Sequence, residues 1–163
     1  MALDTTIGGP DADSYGTLAA YTTYASSMGW TLASTDAANE VSLRKAAVAL
    51  DRENTFIGLQ QYQAQARAFP RLIGDLVDGW PVDPDTIPQD IIYAQFEMGY
   101  LIQGGLDPFA TIESSSTSES IKVGPITIAG DSLPTGKARV VAVEGLLRPY
   151  IGAGSGQVRL VRA

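Results

Sequence analysis

The chain has 163 residues, of which 45% are hydrophobic and 18% charged, and its net charge is −7. This composition is typical of a globular protein long enough to bury a core. The absence of cysteine and histidine excludes disulfides, thiolate nucleophiles, zinc fingers and imidazole acid–base chemistry. No apolar run approaches the ~20 residues that a membrane span needs. We therefore expect a soluble protein, made in the cytoplasm, with no membrane partner and no cofactor.

The basic residues are unevenly distributed along the chain. Residues 1–43 and 72–121 contain no lysine or arginine. A protein that binds duplex DNA normally presents a basic face, because neutralising phosphates drives its affinity. This chain as a whole would be repelled by nucleic acid, although the basic segments 44–71 and 122–162 could make local contacts.

Two helices are predicted in the first third of the chain. Ser14 can cap a helix from Tyr15 to about Ser27, in which apolar residues fall at helical spacing. The second helix is predicted from about Asp36 to Asn54. Its buried stripe is expected to contain Val41, Leu43, Ala47, Val48 and Leu50. The side chains expected to face water are Glu40, Arg44, Lys45, Asp51 and Arg52.

The middle of the chain predicts a short helix, a loop and a long helix. Residues 60–67 are expected to form the short helix, which ends before Pro70 because the residue before a proline is disfavoured in the helical region. Residues 72–88 are rich in glycine and proline and predict a long ordered loop. The next strong helix is Gln89–Gln103, with Pro88 before its first turn and Gly104-Gly105 at its end.

The last third predicts a β-arm, a helix and a tail. A serine-rich linker at 114–118 precedes two alternating apolar segments that turn at Gly124-Pro125. A helix is predicted at Ala138–Arg148, followed by a glycine-rich hinge at 152–156 and an exposed strand at 157–162. The expected fold is mainly α: a four- to five-helix domain with a small β-hairpin arm and an extended C-terminal tail. The predicted parts are a helical body (1–110), linker and arm (111–136), a C-terminal helix (137–150), and hinge and tail (151–163).

The arm and the tail are the candidate interfaces. A lone hairpin is marginal in water and needs a partner surface, which its own helical body or another chain could supply. An extended tail can likewise pair within its own chain or add to a neighbouring sheet. The candidate interface residues are Ile121, Val123, Ile126, Ile128, Val158, Arg159, Leu160 and Arg162.

Arg67, Phe69 and Arg71 are the candidate nucleic-acid contacts, because an aromatic ring between two arginines could stack a base and hold a phosphate. The alternative is that Phe69 packs in the core and the arginines pair with nearby acids. The acidic segment 75–90 could offer oxygen ligands to calcium, but its spacing is not that of a calcium loop, and a solvated acidic face is the favoured interpretation. With no phosphate loop and no nucleophile elbow, we expect no enzyme activity and no catalytic, cofactor or metal residues.

Several short motifs carry a resemblance to phage proteins. They occur in this order: Ala12-Asp13-Ser14-Tyr15, Leu43-Arg44-Lys45-Ala46, Phe69-Pro70-Arg71, Val82–Pro88 before a helix with Gln95 and Glu97, Lys122-Val123-Gly124-Pro125, and Leu146-Leu147. Together they resemble the phage proteins grouped as DnaT-like single-strand-DNA-binding, and they are also similar to the head–tail connector adaptors of tailed bacteriophages. The turn typical of these proteins has Trp before Pro-Arg, where this chain has Phe69.

The two groups imply different functions. The connector resemblance implies a structural adaptor in the virion neck, bound to the portal and to tail, stopper or tail-terminator proteins. Such a subunit would self-associate into a ring of about 12 copies if the ring matches the portal's closed symmetry. Packaged DNA would pass through this ring without specific binding. The other resemblance implies a replication protein that binds single-stranded DNA. We expect the connector and keep the single-strand binder as the alternative.

Overall fold

A computed structural model describes residues 2–74, 76–77, 79–109, 111–112, 121–123, 126–128, 136–137 and 141–152. By its internal contacts the chain divides into two compact units. The first comprises Met1–Leu106 with Val140–Ala163, and the second comprises Asp107–Arg139. Every helix in the described ranges is too short or too polar to cross a membrane.

Four α-helices lie in the described residues, all of them in the first unit: α1 (Leu18–Ser27), α2 (Asp36–Glu53), α3 (Gln89–Gln103) and α4 (Val141–Leu147), which continues into a 3-10 turn at Arg148–Tyr150. Helix α3 packs against both α2 and α4. The predictions for α2 and α3 are confirmed, and the mainly α fold class is confirmed with them.

The strands are short and form two-stranded antiparallel pairs. In the first unit β1 (Leu59–Gln60) pairs with β2 (Arg71–Leu72), and β3 (Leu76–Val77) pairs with β4 (Trp80–Pro81). In the second unit the pairs are β5 (Thr111–Ile112) with β8 (Gly136–Lys137) and β6 (Ile121–Val123) with β7 (Ile126–Ile128). The predicted hairpin arm is therefore present, with Ile121 opposite Ile128 and Val123 opposite Ile126. The predicted tail strand at 157–162 lies outside the described residues.

The first helix begins later than predicted. Its N-cap is Thr17, whose hydroxyl accepts the N–H of Ala20 at 3.2 Å. Ser14 is not the cap because its hydroxyl is buried and used elsewhere: it donates to the carbonyl of Gly16 at 2.7 Å and accepts from Gln95 at 2.7 Å. The last helix differs at its end: it was predicted to run to Arg148, but α4 ends at Leu147 and a 3-10 turn follows at Arg148–Tyr150. Residues 138–140 of the predicted helix lie outside the described residues.

The short helix predicted at 60–67 is wrong. These residues begin in β1 and continue as the loop that leads to β2. Polar side chains replace helical hydrogen bonds in this loop. Gln65 accepts the N–H of Tyr62 at 2.9 Å and donates to the carbonyls of Arg67 and Pro70 at 2.8 and 3.0 Å. The predicted loop at 72–88 is also interrupted, by the pair β3–β4.

Three expectations for the faces of α2 are wrong. Glu40 was expected to face water, but its side chain is only 14% exposed and pairs with Arg44. Val41 is 48% exposed, because the buried stripe runs through Asn39, Leu43, Ala46 and Leu50, at the spacing of one helix face. Asp51 does not face water: its side chain retains only 16% exposure and lies against Arg67. That contact places α2 beside the β1–β2 loop, where the candidate site lies.

Candidate nucleic-acid interface

Phe69 lies in the core of the first unit and is 1% exposed. Its ring makes edge-on contacts with Phe56, Tyr150 and Tyr15, at centroid distances of 5.0, 6.0 and 6.4 Å. The Phe69–Pro70 peptide bond that follows is cis. Because the Phe69 ring is buried, it cannot stack on a base, so any nucleic-acid contact here must come from the neighbouring polar groups.

Arg71 holds the ends of the β1–β2 loop together through backbone carbonyls. Its Nε donates to Ile57 at 2.8 Å, its Nη1 to Ala68 at 3.2 Å, and its Nη2 to Phe56 and Gly58 at 3.2 and 2.6 Å. A guanidinium has five N–H donors, so four are engaged within the chain. Arg71 therefore contributes its charge and the shape of the loop, with little hydrogen-bonding capacity left for a ligand.

Arg67 belongs to a buried network with Asp51 and Tyr15. The Tyr15 hydroxyl donates to Oδ1 of Asp51 and accepts the N–H of Ala68 at 3.1 Å. Arg67 Nη1 lies 3.3 Å from Oδ2 of the same carboxylate, as an ion pair without the alignment of a hydrogen bond. Arg67 Nε and Nη1 are both buried and have no hydrogen-bond acceptor among the described residues.

Burial dominates the electrostatics of this network. It raises the pKa of Asp51 against the opposing effects of the Tyr15 hydrogen bond and the Arg67 charge. It also raises the pKa of Tyr15 well above its usual value, and the Asp51 carboxylate adds to that shift. The Tyr15 phenol consequently stays protonated and remains a donor to the carboxylate throughout the neutral range.

An open recess of about 370 Å³ lies beside this network. Its lining comes from the end of α2, the segment that follows it, and the β1–β2 loop. The lining residues are Asp51, Asn54, Thr55, Phe56, Gln60, Ala66, Arg67, Ala68 and Arg71. The two arginines and one aspartate leave the lining with one excess positive charge, in a chain whose net charge is −7.

The acidic segment after β4 uses its carboxylates in local hydrogen bonds. Asp85 accepts the hydroxyl of Tyr62 at 2.8 Å, and Asp90 accepts that of Tyr150 at 3.1 Å. Asp83 accepts the N–H of Asp85 at 2.9 Å. In the described part of the chain no three acidic residues lie close enough together to hold a metal ion. Asp75 and Asp78 lie outside that part.

Two surface features were not predicted from the sequence. Half-buried aromatic rings form two stacks, Tyr24 on Tyr93 at 4.6 Å and Trp30 on Tyr100 at 4.3 Å. The signal for them was the seven-residue spacing of Tyr93 and Tyr100, which places both on one side of α3. Large apolar side chains are also exposed on the short strands: Leu59 and Leu72, which face each other across β1 and β2, and Leu76 and Trp80 on β3 and β4.

The candidate interface residues fall into two groups. Ile121, Val123, Ile126 and Ile128 lie on β6 and β7, which pair with each other within the chain. Val158, Arg159, Leu160 and Arg162 lie outside the described residues. Two of the candidate nucleic-acid residues, Arg67 and Arg71, line the recess, whereas Phe69 is buried in the core and is not part of the lining.

Comparison with known proteins gives one match, to a family model. No curated protein and no solved structure matches the chain. A family model described as "Putative DnaT-like ssDNA binding protein" matches residues 1–163, the whole of the chain. The protein therefore belongs to the DnaT-like ssDNA binding protein family.

Proposed function

We propose that this protein binds single-stranded DNA, with the recess beside Arg67 as the point of contact. The observation that carries the proposal is membership of the DnaT-like family along the entire chain. The recess supports it, since its lining has an excess positive charge, from two arginines and one aspartate. Phosphate contacts, which fix a strand in place without reading its sequence, are the chemistry that such a lining offers.

The charge of the chain limits the strength of this binding. The net charge is −7, and several basic side chains already have partners within the chain: Arg44 pairs with Asp13 at 2.6 Å, and Arg71 binds carbonyls. With one or two phosphates neutralised, the logarithm of the binding constant should fall by only about 1 per tenfold rise in salt, at about 0.7 per phosphate for single strands. We expect weak binding with a shallow salt dependence.

Fluorescence anisotropy of a labelled oligothymidylate, titrated with the full chain over a series of salt concentrations, tests the proposal. We expect saturable binding that weakens as the salt concentration rises. A duplex of the same length should not reproduce this binding. The proposal would be contradicted if neither the single strand nor the duplex bound at the lowest salt concentration.

The variants for this experiment follow from the contacts. Arg67→Gln removes a positive charge from the recess lining, and we expect at least a tenfold loss of affinity, or about 1.5 kcal/mol for one hydrogen bond to a charged group. Lys45→Gln is the matched control, because it removes the same charge from an exposed side chain outside the recess lining. Phe69 and Arg71 are unsuitable as probes because each also maintains the structure of the loop.

A second candidate function is the head–tail connector of a tailed phage, which the exposed apolar side chains on β1–β4 favour. Leu59 and Trp80 are 71% and 77% exposed, and exposed apolar side chains near open strand edges are typical of surfaces that bind other proteins. An acidic ring subunit would also let DNA slide past. In this proposal the chain joins the portal to tail or stopper proteins in the virion neck.

Quantitative mass spectrometry of purified, nuclease-treated virions distinguishes the two functions. A signal close to that of the portal supports the connector. Absence from virions, together with abundance in infected cells, supports the single-strand binder. A truncation that removes residues 157–163 should leave the domain folded but block connector assembly, and normal particles from that variant would rule out a role for the tail.

A further inference from the structure

The β3–β4 hairpin has a strand edge that is open to a further strand. Residues 78–79 alone join its two strands, so the pair beside the turn, Val77 and Trp80, is the hydrogen-bonded one. Hydrogen-bonded and outward-facing residues alternate along an antiparallel strand, and the N–H and C=O of Leu76 therefore point away from β4. Among the described residues β3 pairs with β4 only. The backbone of Leu76 is thus available to a strand on the outer side of β3.

The opposite edge of this hairpin is closed to strand addition. Pro81, the partner of Leu76 in β4, has no backbone N–H and cannot complete a ladder on its outer side. The hairpin is held on the core by Val77, which packs against the main hydrophobic cluster, whereas the Leu76 side chain remains 63% exposed. The edge of β3 therefore combines open backbone groups with an exposed apolar side chain, which is the surface that an added strand covers.

The charges identify the kind of strand that fits this edge. The hairpin lies within residues 72–121, which contain no lysine or arginine and are rich in acidic residues. After Glu144 the chain contains no acidic residue, and its terminal segment 157–162 carries Arg159 and Arg162 among apolar residues. This segment alternates as a strand does. The chain thus contains an acidic strand edge and a basic strand-forming segment of complementary character.

The direction in which the chain leaves the described residues favours a second copy as the source of this segment. Ile151 pairs antiparallel with Phe56, and the N–H of Gly152 donates to the Thr55 carbonyl at 3.0 Å. This pairing directs the chain at Gly152 toward the end of α2 and away from β1. Residues 153–156 span at most about 14 Å, so a reversal toward the same copy's hairpin has little length in which to occur.

We propose that residues 157–162 of one copy add as a third strand to the outer edge of β3 in a second copy. Leu160 then lies opposite Leu76, with Val158 on the same face of the added strand, and the two arginines of the tail meet the acidic surroundings of the hairpin. Each copy offers one tail and one edge, so the contact is head to tail. It joins copies of the chain and does not depend on DNA binding.

Sedimentation velocity of the full chain, over a wide range of protein concentrations, tests the proposal. We expect the sedimentation coefficient to rise with concentration as tails dock on neighbouring copies. The association should weaken at high salt, because salt screens the attraction between exposed charges. A chain that remains monomeric at every concentration would overturn the proposal, since its tail would then bind its own hairpin or a different protein.

Three full-length variants identify the edge. Leu160→Asp and Leu76→Asp should each weaken self-association about tenfold or more, because each prevents the burial of a large apolar side chain. Leu59→Asp is the matched control, since it makes the same change in a leucine of β1 that is 71% exposed. It should leave the association constant within about twofold of wild type, as surface changes outside an interface do. Equal weakening by Leu59→Asp and Leu76→Asp would contradict docking on β3.

A mixture of the two defective variants then tests the head-to-tail arrangement. Leu76→Asp keeps an intact tail and Leu160→Asp keeps an intact edge, so the mixture should form a heterodimer, and nothing larger, at a concentration where neither variant associates alone. A mixture that stays monomeric would overturn the proposal. If Leu76→Asp fails to fold, Leu160→Asp added to wild type still decides: it accepts a tail but offers none, so it should reduce the size of the wild-type assemblies. Unchanged assemblies would contradict the proposal.

Discussion

The side-chain carbonyl of Gln95, on α3, accepts the backbone N–H of Tyr15 at 3.0 Å, across 80 residues of sequence. The same oxygen accepts the N–H of Gly16 at 3.0 Å, and the amide nitrogen donates to Ser14 Oγ and the Leu43 carbonyl at 2.7 and 2.9 Å. Gln95 is fully buried. One side chain thus provides hydrogen-bond partners for the segment before α1 and joins that segment to α2 and α3.

Replacing Gln95 with Leu should strongly destabilise the fold. The change leaves two buried N–H groups, those of Tyr15 and Gly16, without acceptors, and each such group costs about 1–3 kcal/mol, so we expect a loss of about 2–6 kcal/mol. Urea unfolding followed by circular dichroism measures it. Gln89→Leu, at the exposed start of the same helix, should change stability by less than about 0.5 kcal/mol. Equal effects of the two changes would show that Gln95 has no special role.

Gly16 and Gly145 should respond oppositely to substitution by Ala. A Cβ atom on Gly16 would lie 2.5 Å from Cε1 of Phe96, a buried ring, whereas one on Gly145 in α4 would meet open space. We expect Gly16→Ala to destabilise the fold by about 1–3 kcal/mol through overpacking. Gly145→Ala should stabilise it by about 0.5–1 kcal/mol through helix propensity. Thermal unfolding of the two variants checks the pair, and a change of the same sign in both would contradict the packing.

Arg71→Lys should loosen the β1–β2 loop although it keeps the charge. A lysine ammonium cannot reproduce the fork that reaches four carbonyls, of which those of Ile57 and Gly58 lie closest, at 2.8 and 2.6 Å. We expect a loss of about 1–2 kcal/mol, because several hydrogen bonds to a charged group are lost or weakened. Hydrogen exchange should rise in residues 56–72 while α3 keeps its protection. Uniform exchange across the chain would instead indicate that Arg71 has no local role.

Tyr21 and Tyr24 should make the fold sensitive to alkaline pH. Burial raises the pKa of both to about 12, and for Tyr24 a hydrogen bond to Glu97 at 3.1 Å adds to the shift. A raised pKa means that the folded state holds the proton more tightly than the unfolded state. This contribution to stability is therefore full below about pH 10, the unfolded value for tyrosine, and is lost as the pH rises through 12.

The ultraviolet absorbance of tyrosinate measures this titration. We expect part of the signal from the seven tyrosines to appear only near pH 12 or on unfolding. Tyr24→Phe should remove one late-titrating group and weaken the fall in stability above pH 10. Titration of all the tyrosines together near pH 10 in the folded protein would contradict the burial of these phenols.

Local periodicity predicted the helices that are defined by the spacing of apolar residues within one segment of the chain. In α3 the run Gln89–Gln103 was delimited at both ends, since Pro88 suits a helix start and Gly104 a helix end. In the β-arm, alternation predicted the pairing of Ile121–Val123 with Ile126–Ile128. At 60–67 the same reasoning failed. The side chains of Gln65 and Arg71 hydrogen-bond to the loop backbone and compete with helix formation there. Local spacing of apolar residues does not reveal these hydrogen bonds.

By itself the sequence determined the class of the fold, the bounds of α2 and α3, and membership of a family whose motifs run along the chain. Only the tertiary structure decided which polar residues meet. It buried Phe69, turned Asp51 toward Tyr15 and Arg67, and left Arg67 beside an open recess. The reason is physical: helix formation depends on neighbours three or four residues apart, whereas a buried charge network depends on partners 16 and 36 residues away in the chain that packing alone brings together.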